Sequence, residues 1–577
     1  MVLVSLVTTA TVILHDTWVQ TLVARVASAW LSEKLNTTIR IGGFDLSLSR
    51  GLTLDEIVVK DLAQQDLIAA RKISILPGKI SPGKKILRIK KVYIDQGVFQ
   101  LLTHRGDSTL NLQFLIDFFS STDTAAKPDT TGTPWDITVK EVRLDDFRFH
   151  FQDENAKPVP EGMDYANIDV GHINLLLEDF HPEGDTLNAV IKKLSAVERS
   201  GFTLRSFEGE FRVGPAFLKA HNLKVITDHC NLDLTFDFLY DSWNAYTDFL
   251  NKVRIVADIR PSDFDLQDIG AFAQVLYQMK NRFHISGQVA GTVSNFKASD
   301  FRVAFGENSR LRATIRSNGL PDILNTFVDM DIRELQTSHQ DIAGLKLPVE
   351  GGSLPLPEFL NSAGLIRLKG IYTGFYNDFV TNLKASTDIG DITANIALKK
   401  IRDARGLSYS GELDAIRFDL GRLMNLRETM GRVTFRADLN GKGFNLDDAD
   451  IVMNIRIDTM NLNRYAYHSI KLKGILSNKR FNGFLDVRDP NLNLDFNGIV
   501  DMGDSIPFFK FITDIHYAQL YNLNLLKRDP VNSVSSHIDV DIAARDIDHM
   551  HGMITVRNTR YTEGDRSIFM DALNLVT

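Results

Sequence analysis

The chain has 577 residues, 44% hydrophobic and 24% charged, with 65 basic and 73 acidic side chains and a net charge of −8. This length exceeds what one hydrophobic core supports and predicts several packed units or one elongated repeating body, while the composition excludes wholesale disorder. The mild negative charge, without a basic block, excludes a dedicated nucleic-acid binder. Cys230 is the only cysteine, which excludes an intrachain disulfide and a cysteine-based zinc site.

The N-terminal segment predicts a membrane anchor. Residues 1–14 carry no charged side chain, and the next residues continue as an amphipathic helix that has Trp18 at an interfacial position. A helix over 1–14 would span about 21 Å, less than a bilayer core of about 30 Å, so a buried core helix stays open as the alternative. A basic n-region and a small-residue cleavage site are missing, which argues against a signal peptide. The predicted anchor residues are Val2, Leu3, Val4, Leu6, Val7, Val12, Ile13, Leu14 and Trp18.

After Asn36 the sequence alternates between apolar and polar residues with a period of two. In residues 231–238 (NLDLTFDF), leucines and phenylalanines take one face while aspartates and a threonine take the other. This pattern is typical of antiparallel strands that have one dry and one wet face. Glycines such as Gly287, Gly370 and Gly441 are interpreted as turn residues between such strands.

Few helical segments interrupt the strand pattern. Short helices are predicted near residues 111–121, 337–345 and 420–427, and a longer one over 263–281. The polar, threonine-rich stretch 122–134 is the favoured domain boundary. The predicted division is 1–35, anchor and amphipathic helix; 36–121, a first β/α unit; 122–134, a polar linker; 135–262, a β-trough segment; 263–282, a helix; and 283–577, a second β-trough segment, truncated at its C-terminus.

The many one-sided strands pose a physical problem, because there is too little helix to cover their apolar faces. Those faces must be buried by another sheet, by curling of the sheet, or by an apolar ligand. We therefore predict a mainly β fold: an N-terminal membrane helix, then an elongated, curled antiparallel β-sheet trough with a few short helices. A closed sandwich core stays open for each of the candidate lining residues, which are Phe147, Phe149, Phe151, Leu232, Leu234, Phe236, Phe238, Ile451, Met453, Ile455, Leu492, Leu494 and Phe496.

The sequence contains no catalytic signature that we can identify. It has no phosphate-binding loop of the Walker type, no nucleophile elbow and no His-Glu-x-x-His motif. The clustered candidate metal ligands are better explained as turn residues and solvated strand faces, since no third ligand or EF-hand spacing accompanies them. These clusters are His549 with His551, Asp145 with Asp146, and Asp447 with Asp448 and Asp450. We predict no enzymatic activity, no cofactor and no metal.

Five segments carry a family resemblance. They are LSEKLNTTIRIGGFDLSLSRGLTLDEIVVKDL (31–62), DSTLNLQFLIDFF (107–119), GLPDILNTFVDMDIRELQTS (319–338), GIYTGFYNDF (370–379) and DPNLNLDFNGIVD (489–501). With the apolar N-terminal tract, they resemble the N-terminal region of TamB-like translocation and assembly module proteins of the Bacteroidetes type, within the AsmA-like group. The resemblance extends along essentially the whole chain, and its motifs are structural.

The resemblance implies a single-pass inner-membrane protein with its bulk in the periplasm and a β-trough that reaches towards the outer membrane. The family is linked to outer-membrane protein assembly, and its troughs are similar to those of bridge-like lipid transfer proteins. This chain departs from the family in its short anchor and in an end, DALNLVT, that reads as the middle of a strand. We therefore expect an N-terminal portion, in which a C-terminal region that meets an outer-membrane β-barrel partner is missing.

Two functional hypotheses follow. The first is a non-enzymatic lipid conduit that carries phospholipid between the inner and outer membranes and supports outer-membrane biogenesis, with membrane lipids as partners and no nucleic acid. The second is a scaffold or chaperone that assembles and translocates outer-membrane β-barrel proteins by pairing with their strand edges. An enzyme that modifies polysaccharides would need clustered carboxylates and aromatic side chains, which the sequence does not offer.

Overall fold

The structure, a computed structural model, is dominated by antiparallel strands. It describes residues 17–47, 51–120, 135–159, 162–272, 276, 279–346, 356, 360–400, 406–443, 447–503, 505–545 and 549–576. The chain divides into two units: an N-terminal unit of residues 1–298 and 346–348, and a C-terminal unit of residues 299–345 and 349–577.

The N-terminal unit contains twelve complete strands among its described residues. They are β1 Ile39–Ser47, β2 Gly51–Lys60, β3 Asp66–Ser81, β4 Ile86–Thr103, β5 Asp136–Asp153, β6 Asn167–Glu183, β7 Thr186–Glu198, β8 Thr203–Gly214, β9 Phe217–Thr227, β10 Asn231–Leu239, β11 Arg254–Asp265 and β12 Arg282–Gly291. Its helices are α1 Thr17–Leu35, α2 Gln113–Ser120, α3 Phe249–Lys252 and α4 Leu266–Gly270. Single 3-10 turns cover Pro82–Lys84 and Trp243–Asp248.

The division between the units falls within β13 Asn295–Phe305. The strands that follow are β14 Ser309–Asn318, β15 Phe327–Ser338, β16 Leu365–Phe375, β17 Asp378–Thr387, β18 Gly390–Lys400, β19 Leu407–Asp419, β20 Met430–Lys442, β21 Asp450–Leu462, β22 Tyr465–Ser477, β23 Arg480–Asp489, β24 Leu492–Asp501, β25 Phe508–Gln519, β26 Asn532–Ala544, β27 Met550–Glu563 and β28 Arg566–Val576. The helices of the C-terminal unit are α5 His339–Gly344, α6 Leu360–Ala363 and α7 Leu420–Leu423, with a 3-10 turn at Ile323–Asn325.

Strands pair with their chain neighbours in both units. From β1 to β12 the pairing is antiparallel except between β4 and β5, which run parallel, with Phe99 opposite Phe149. Because β4 and β5 pair directly, the strands before and after residues 104–135 belong to one sheet. The stretch 122–134, the predicted boundary, lies outside the described residues.

In the C-terminal unit, every consecutive pair from β14 to β28 is antiparallel. Because successive connections in such a meander alternate between the two ends of the strands, α5, α6 and α7 all lie at the same end. We call this end, where β15, β19, β23 and β25 finish, the helix margin of the C-terminal unit.

Many strands contain a β-bulge at which a non-glycine residue adopts a positive φ. Examples are Asp146 in β5 and Asn222 in β9, with φ of 52° and 50°. At Asp146 the register between β5 and β6 shifts between Leu144 and Phe147. The extra residue at a bulge increases the local twist while keeping the apolar side chains before and after it on one face. Alternation alone does not reveal these positions.

The short predicted helices are confirmed, but the long one is wrong in extent. Helices α2, α5 and α7 form close to the predicted ranges. Over 263–281, β11 continues to Asp265, whose carboxylate caps the five-residue helix α4 by accepting from the Gln267 N–H at 2.9 Å. Only part of the remaining stretch is described. Phe272, within this range, is 42% exposed.

The predicted fold class is confirmed in its main features, since the described residues form antiparallel sheet with a few short helices. The structure shows no N-terminal membrane helix: the anchor residues 2–14 lie outside the described residues. None of the helices in the described ranges is both long and apolar enough to cross a membrane.

Candidate functional site: the apolar faces of the two units

One face of the N-terminal unit is apolar across its strands. Directly opposed residues of neighbouring strands point to the same face, so the register can be followed from strand to strand. One such row crosses β5 to β10 and consists of Leu144, Leu175, Leu194, Phe207, Val225 and Leu232. The register therefore places both predicted groups, the phenylalanines of β5 and the apolar residues of β10, on this face.

The C-terminal unit has an apolar face built in the same way. A row of register partners crosses β21 to β24 and consists of Ile455, Leu472, Leu485 and Phe496. Met453 and Leu494 lie on the same face, because each is two residues away from a member of this row in its own strand. The six predicted residues of β21 and β24 thus share one surface.

All thirteen predicted lining residues are half-buried. Part of their cover comes from aromatic neighbours on the same face, as in Phe236 with Phe238 at 4.4 Å between ring centroids. Phe496 lies 5.0 Å from Phe511 by the same measure. This burial is what a single sheet gives side chains that lean on their neighbours, and it is less than a closed sandwich core would give.

The apolar face of the C-terminal unit is closed at the helix margin. There Ile470, Val487, Ala518 and Leu523 are at most 5% exposed, because the chain after β25 folds over the strand ends. Leu420 and Leu423, from the segment of α7, cover a similar cluster around Phe418.

Three predicted lining residues belong partly to such closed clusters. Leu492 and Leu494 pack against the cluster at the helix margin. Phe238 packs against Tyr240, Ala245 and Val253 in the N-terminal unit. For these three the structure shows core contacts, whereas Met453, Ile455 and Phe236 lie outside the described clusters.

The opposite face of each sheet is charged. In the N-terminal unit, Arg148 Nε donates to Asp169 Oδ1 at 2.8 Å, and this guanidinium holds the pKa of the Asp169 carboxyl below its ordinary value. Arg436 and Asp414 form an equivalent cross-strand pair in the C-terminal unit at 2.8 Å. Exposed ion pairs of this kind stabilise a sheet little, but they keep this face in water and leave the apolar face as the side that needs cover.

Several glycines interpreted as turn residues lie inside strands instead. Gly370 is in the middle of β16 with φ of 138°, and a Cβ there would lie 2.0 Å from the Asn382 carbonyl oxygen. Gly287 and Gly441 are likewise within β12 and β20. Close approach of the neighbouring backbone, rather than chain reversal, explains the glycine at position 370.

Three further glycines form a row across adjacent strands of the apolar face: Gly474, Gly483 and Gly498 are direct register partners in β22, β23 and β24. The Phe481 ring lies over the first two, at 2.7 Å from the position that a Cβ would take on either. An aromatic ring that covers a strand glycine is a known stabilising device in sheets.

A polar pocket of about 530 Å³ lies at the strand ends of the N-terminal unit and was not predicted. Asp268 of α4 accepts from His229 Nδ1 at 2.7 Å and from the backbone N–H groups of His229 and Cys230. Burial raises the pKa of the Cys230 thiol, so this thiol is a poor nucleophile. The hydrogen bonds of Asp268 tie β9, β10 and α4 together, which is a structural role.

A second unpredicted pocket, of about 370 Å³, lies along β15 to β18 in the C-terminal unit. Its lining includes Arg367, Lys369 and Lys384, all exposed, and the two lysines are direct cross-strand neighbours. The signal for this site in the sequence is the pair of alternating basic residues in β16, Arg367 and Lys369, with Lys384 in the next strand.

Three of the candidate metal ligands of the sequence, Asp145, Asp146 and Asp450, are engaged in ion pairs or hydrogen bonds. Asp145 accepts from Arg143 at 3.0 Å, and Asp146 from the His172 ring at 3.0 Å. Asp450 pairs with Lys442 at 3.4 Å. The ranges that the structure describes contain no group of three or more histidine, cysteine or carboxylate residues arranged to hold a metal ion.

Comparison with known proteins gives no relative: no family model, curated protein or solved structure matches the chain.

Proposed function

We propose that the chain is a non-enzymatic lipid carrier of the bacterial envelope, in which each sheet holds acyl chains against its apolar face. The observation that carries this proposal is a continuous apolar face in each unit whose mid-strand side chains are only half-buried. Its resemblance to TamB-like proteins supports the same function, with phospholipid moving between the inner and outer membranes.

The physical argument is one of scale. Burial of an acyl chain gains about 0.8 kcal/mol for each methylene, so a dozen methylenes against such a face outweigh the cost of ordering the lipid. The headgroup stays in water, so no buried charged site is needed. Bound lipid would cover the half-buried apolar face. The protein then needs neither more helices nor a second sheet to cover it.

The decisive experiment measures lipid bound to the full chain after mild extraction, by native mass spectrometry and by lipid extraction. We expect phospholipid to copurify. Phe236→Asp combined with Met453→Asp places one carboxylate on each apolar face and should lower bound lipid at least about ten-fold, because an acyl chain cannot solvate a charge.

The control combines Val256→Asp with Val452→Asp. These residues are 41% and 55% exposed, and their register partners Asp237 and Asn440 belong to the charged faces. The control should keep its lipid. Folded protein that carries no lipid, or equal loss in both double variants with unchanged circular dichroism, would show the proposal to be wrong.

A second candidate, the assembly scaffold, is favoured by one observation. Strand β28 pairs with β27 alone within the described part of the chain, and Ile568 and Phe569 on it are 65% and 62% exposed. A photo-crosslinking residue at position 569 should capture outer-membrane β-barrel proteins if strand pairing is the function. Capture of lipid alone would favour the carrier.

A further inference from the structure

The N-terminal helix α1 has two opposite faces of different character. Its inner face presents Gln20, Ala24, Ser28 and Ser32, at a spacing of four residues, to strand β1, and Ala24 is only 1% exposed. Ser32 Oγ accepts from the Ile39 N–H at 2.9 Å, and Ser28 Oγ accepts from the Ile41 N–H at 3.0 Å. Since β1 pairs with β2 on its other side, α1 covers the remaining edge of β1.

The outer face of α1 carries a stripe of large apolar side chains, and the exposed Glu33 lies at the C-terminal end of the same face. Trp18, Leu22, Val26 and Trp30 are 72%, 46%, 60% and 53% exposed. Each of these residues is offset by two positions from the inner series, which turns it by about 200° around the helix axis. The edge of the sheet and the apolar stripe therefore lie on opposite sides of α1.

The direction of α1 relative to β1 follows from the same contacts. Ser32 bonds to Ile39, Ser28 to Ile41, and Gln20 Nε2 to Asp45 Oδ1 at 3.2 Å. Because helix positions fall as strand positions rise, the helix runs antiparallel to β1 along its length.

We propose that the outer stripe of α1 docks flat on a lipid bilayer, with β1 parallel to the membrane surface. Exposed tryptophans with leucine and valine between them suit the interfacial zone, and the uncharged residues 1–14 precede the stripe, separated from it by residues 15–17. Lys34 follows at the next position of the stripe and can reach lipid phosphates.

The spacing of the stripe disfavours a second copy of the helix as the occupant. A coiled-coil seam alternates three- and four-residue steps, whereas this stripe advances by four at each step. It also covers an arc of about 120°, which is the width of an interfacial apolar face.

The orientation has a consequence for the proposed function, which it deepens. With β1 parallel to the bilayer, the strands of the N-terminal unit follow one another away from the membrane. The apolar face then begins at the bilayer surface with Ile39 and Ile41 of β1 and their partners in β2, where an acyl chain can pass from bilayer to sheet.

Tryptophan fluorescence provides the test, because the chain has four tryptophans, Trp18, Trp30, Trp135 and Trp243. In the full chain with Trp135→Phe and Trp243→Phe, a further Trp30→Phe or Trp18→Phe leaves one reporter. Vesicles of phosphatidylethanolamine and phosphatidylglycerol that contain brominated phosphatidylcholine then report depth. We expect blue-shifted emission and equal quenching for both reporters.

Unequal quenching would overturn the proposal, since an upright helix separates the two reporters by about 18 Å in depth. Absence of quenching at Trp30 would overturn it too. Emission that is already blue-shifted without vesicles would show that protein covers the stripe. The cover would be a second copy of the chain if the shift depends on protein concentration, and residues 1–16 if it does not. Either result overturns membrane docking.

A variant pair separates the stripe from residues 1–14. Leu22→Gln with Val26→Gln should weaken vesicle binding about ten-fold, because two interfacial apolar side chains are lost. The control, Ile371→Gln with Val452→Gln, removes apolar side chains that are 52% and 55% exposed on the charged face of the C-terminal unit. Equal binding by both double variants would overturn the proposal, while the lipid content of the apolar faces would remain a separate measurement.

Discussion

At the scale of single residues, Asp489 shows how a buried carboxylate holds strand ends together. It closes β23 and accepts from Tyr465 Oη at 2.6 Å and from the backbone N–H groups of His468 and Asn491 at 2.9 and 2.8 Å. Burial by itself raises the pKa of this carboxyl, but the hydrogen bonds from Tyr465, Asn491 and His468 favour the charged form more, so the pKa lies below its ordinary value.

Asp489→Asn should lower the free energy of unfolding by about 1–3 kcal/mol at neutral pH, because the amide brings a donor to a site that needs acceptors. A folded-state pKa below the unfolded value stabilises the protein at any pH above the unfolded value, near pH 4, and this contribution is lost as the pH falls through the folded value. The difference between parent and variant in urea unfolding should therefore shrink only in acid.

Asp450→Asn is the matched comparison for this residue. Its carboxylate is 47% exposed and pairs with Lys442 at 3.4 Å on the surface. Exposed pairs contribute little, so this variant should unfold within about 0.5 kcal/mol of the parent. A larger loss there than at Asp489 would contradict the role assigned to burial.

At the scale of elements, α1 resolves a problem that every open sheet has, a free edge that can pair with other chains. Ser28 and Ser32 satisfy backbone groups of β1 with their hydroxyls. The sequence predicted an amphipathic helix here from its apolar residues, but it could not show that the small and polar residues face the sheet. That assignment depends on the hydrogen bonds between the helix and β1, which hydrophobic periodicity does not reveal.

Ser28→Ala with Ser32→Ala should destabilise the protein by about 1–3 kcal/mol, because two backbone N–H groups of β1 lose their acceptors. Thermal unfolding measures the loss, and Ser28→Thr with Ser32→Thr, which keeps both hydroxyls, should restore most of it. Unchanged unfolding of the alanine variant would mean that water replaces the serines without cost.

Other elements show where sequence reasoning succeeds and where it stops. The alternation in residues 231–238 predicted β10 because each side chain there sees a uniformly dry or wet face. The helix predicted over 263–281 failed because Asp263 and Asp265 extend β11 through backbone pairing with β12, which local propensity does not encode. Gly370 was interpreted as a turn residue although it lies inside a strand. The need for glycine comes from the Asn382 backbone in the neighbouring strand, and the register that brings the two together is not visible in a single sequence.

At the scale of the whole molecule, each unit carries its own apolar face, and this predicts independent lipid sites. Phe236→Asp and Met453→Asp, made singly, should each remove about half of a bound fluorescent fatty acid, and the double variant should remove most of it, because each substitution acts on the apolar face of its own unit and independent effects add. Titration of the probe measures the number of sites. Complete loss in either single variant would show instead that one unit holds all the lipid.

The sequence predicted the one-sided strands and the need for cover, yet it could not locate the closed clusters. Leu492 and Leu494 follow the same alternation as Met453 and Ile455, but only the first two lie where the chain after β25 folds over the strand ends. How close a residue lies to the helix margin depends on the tertiary structure, so the alternation in the sequence does not show it.

The neighbour-to-neighbour pairing of the strands also bears on how the protein forms. Contacts between chain neighbours close short loops, so each new strand can add to a finished template as soon as it emerges, and synthesis from the N-terminus proceeds in the order of assembly. The parallel pair of β4 and β5 is the exception, because β4 must wait for the crossover before it gains its second neighbour. At that step the nascent edge is open for longest, and a pause in folding is expected there.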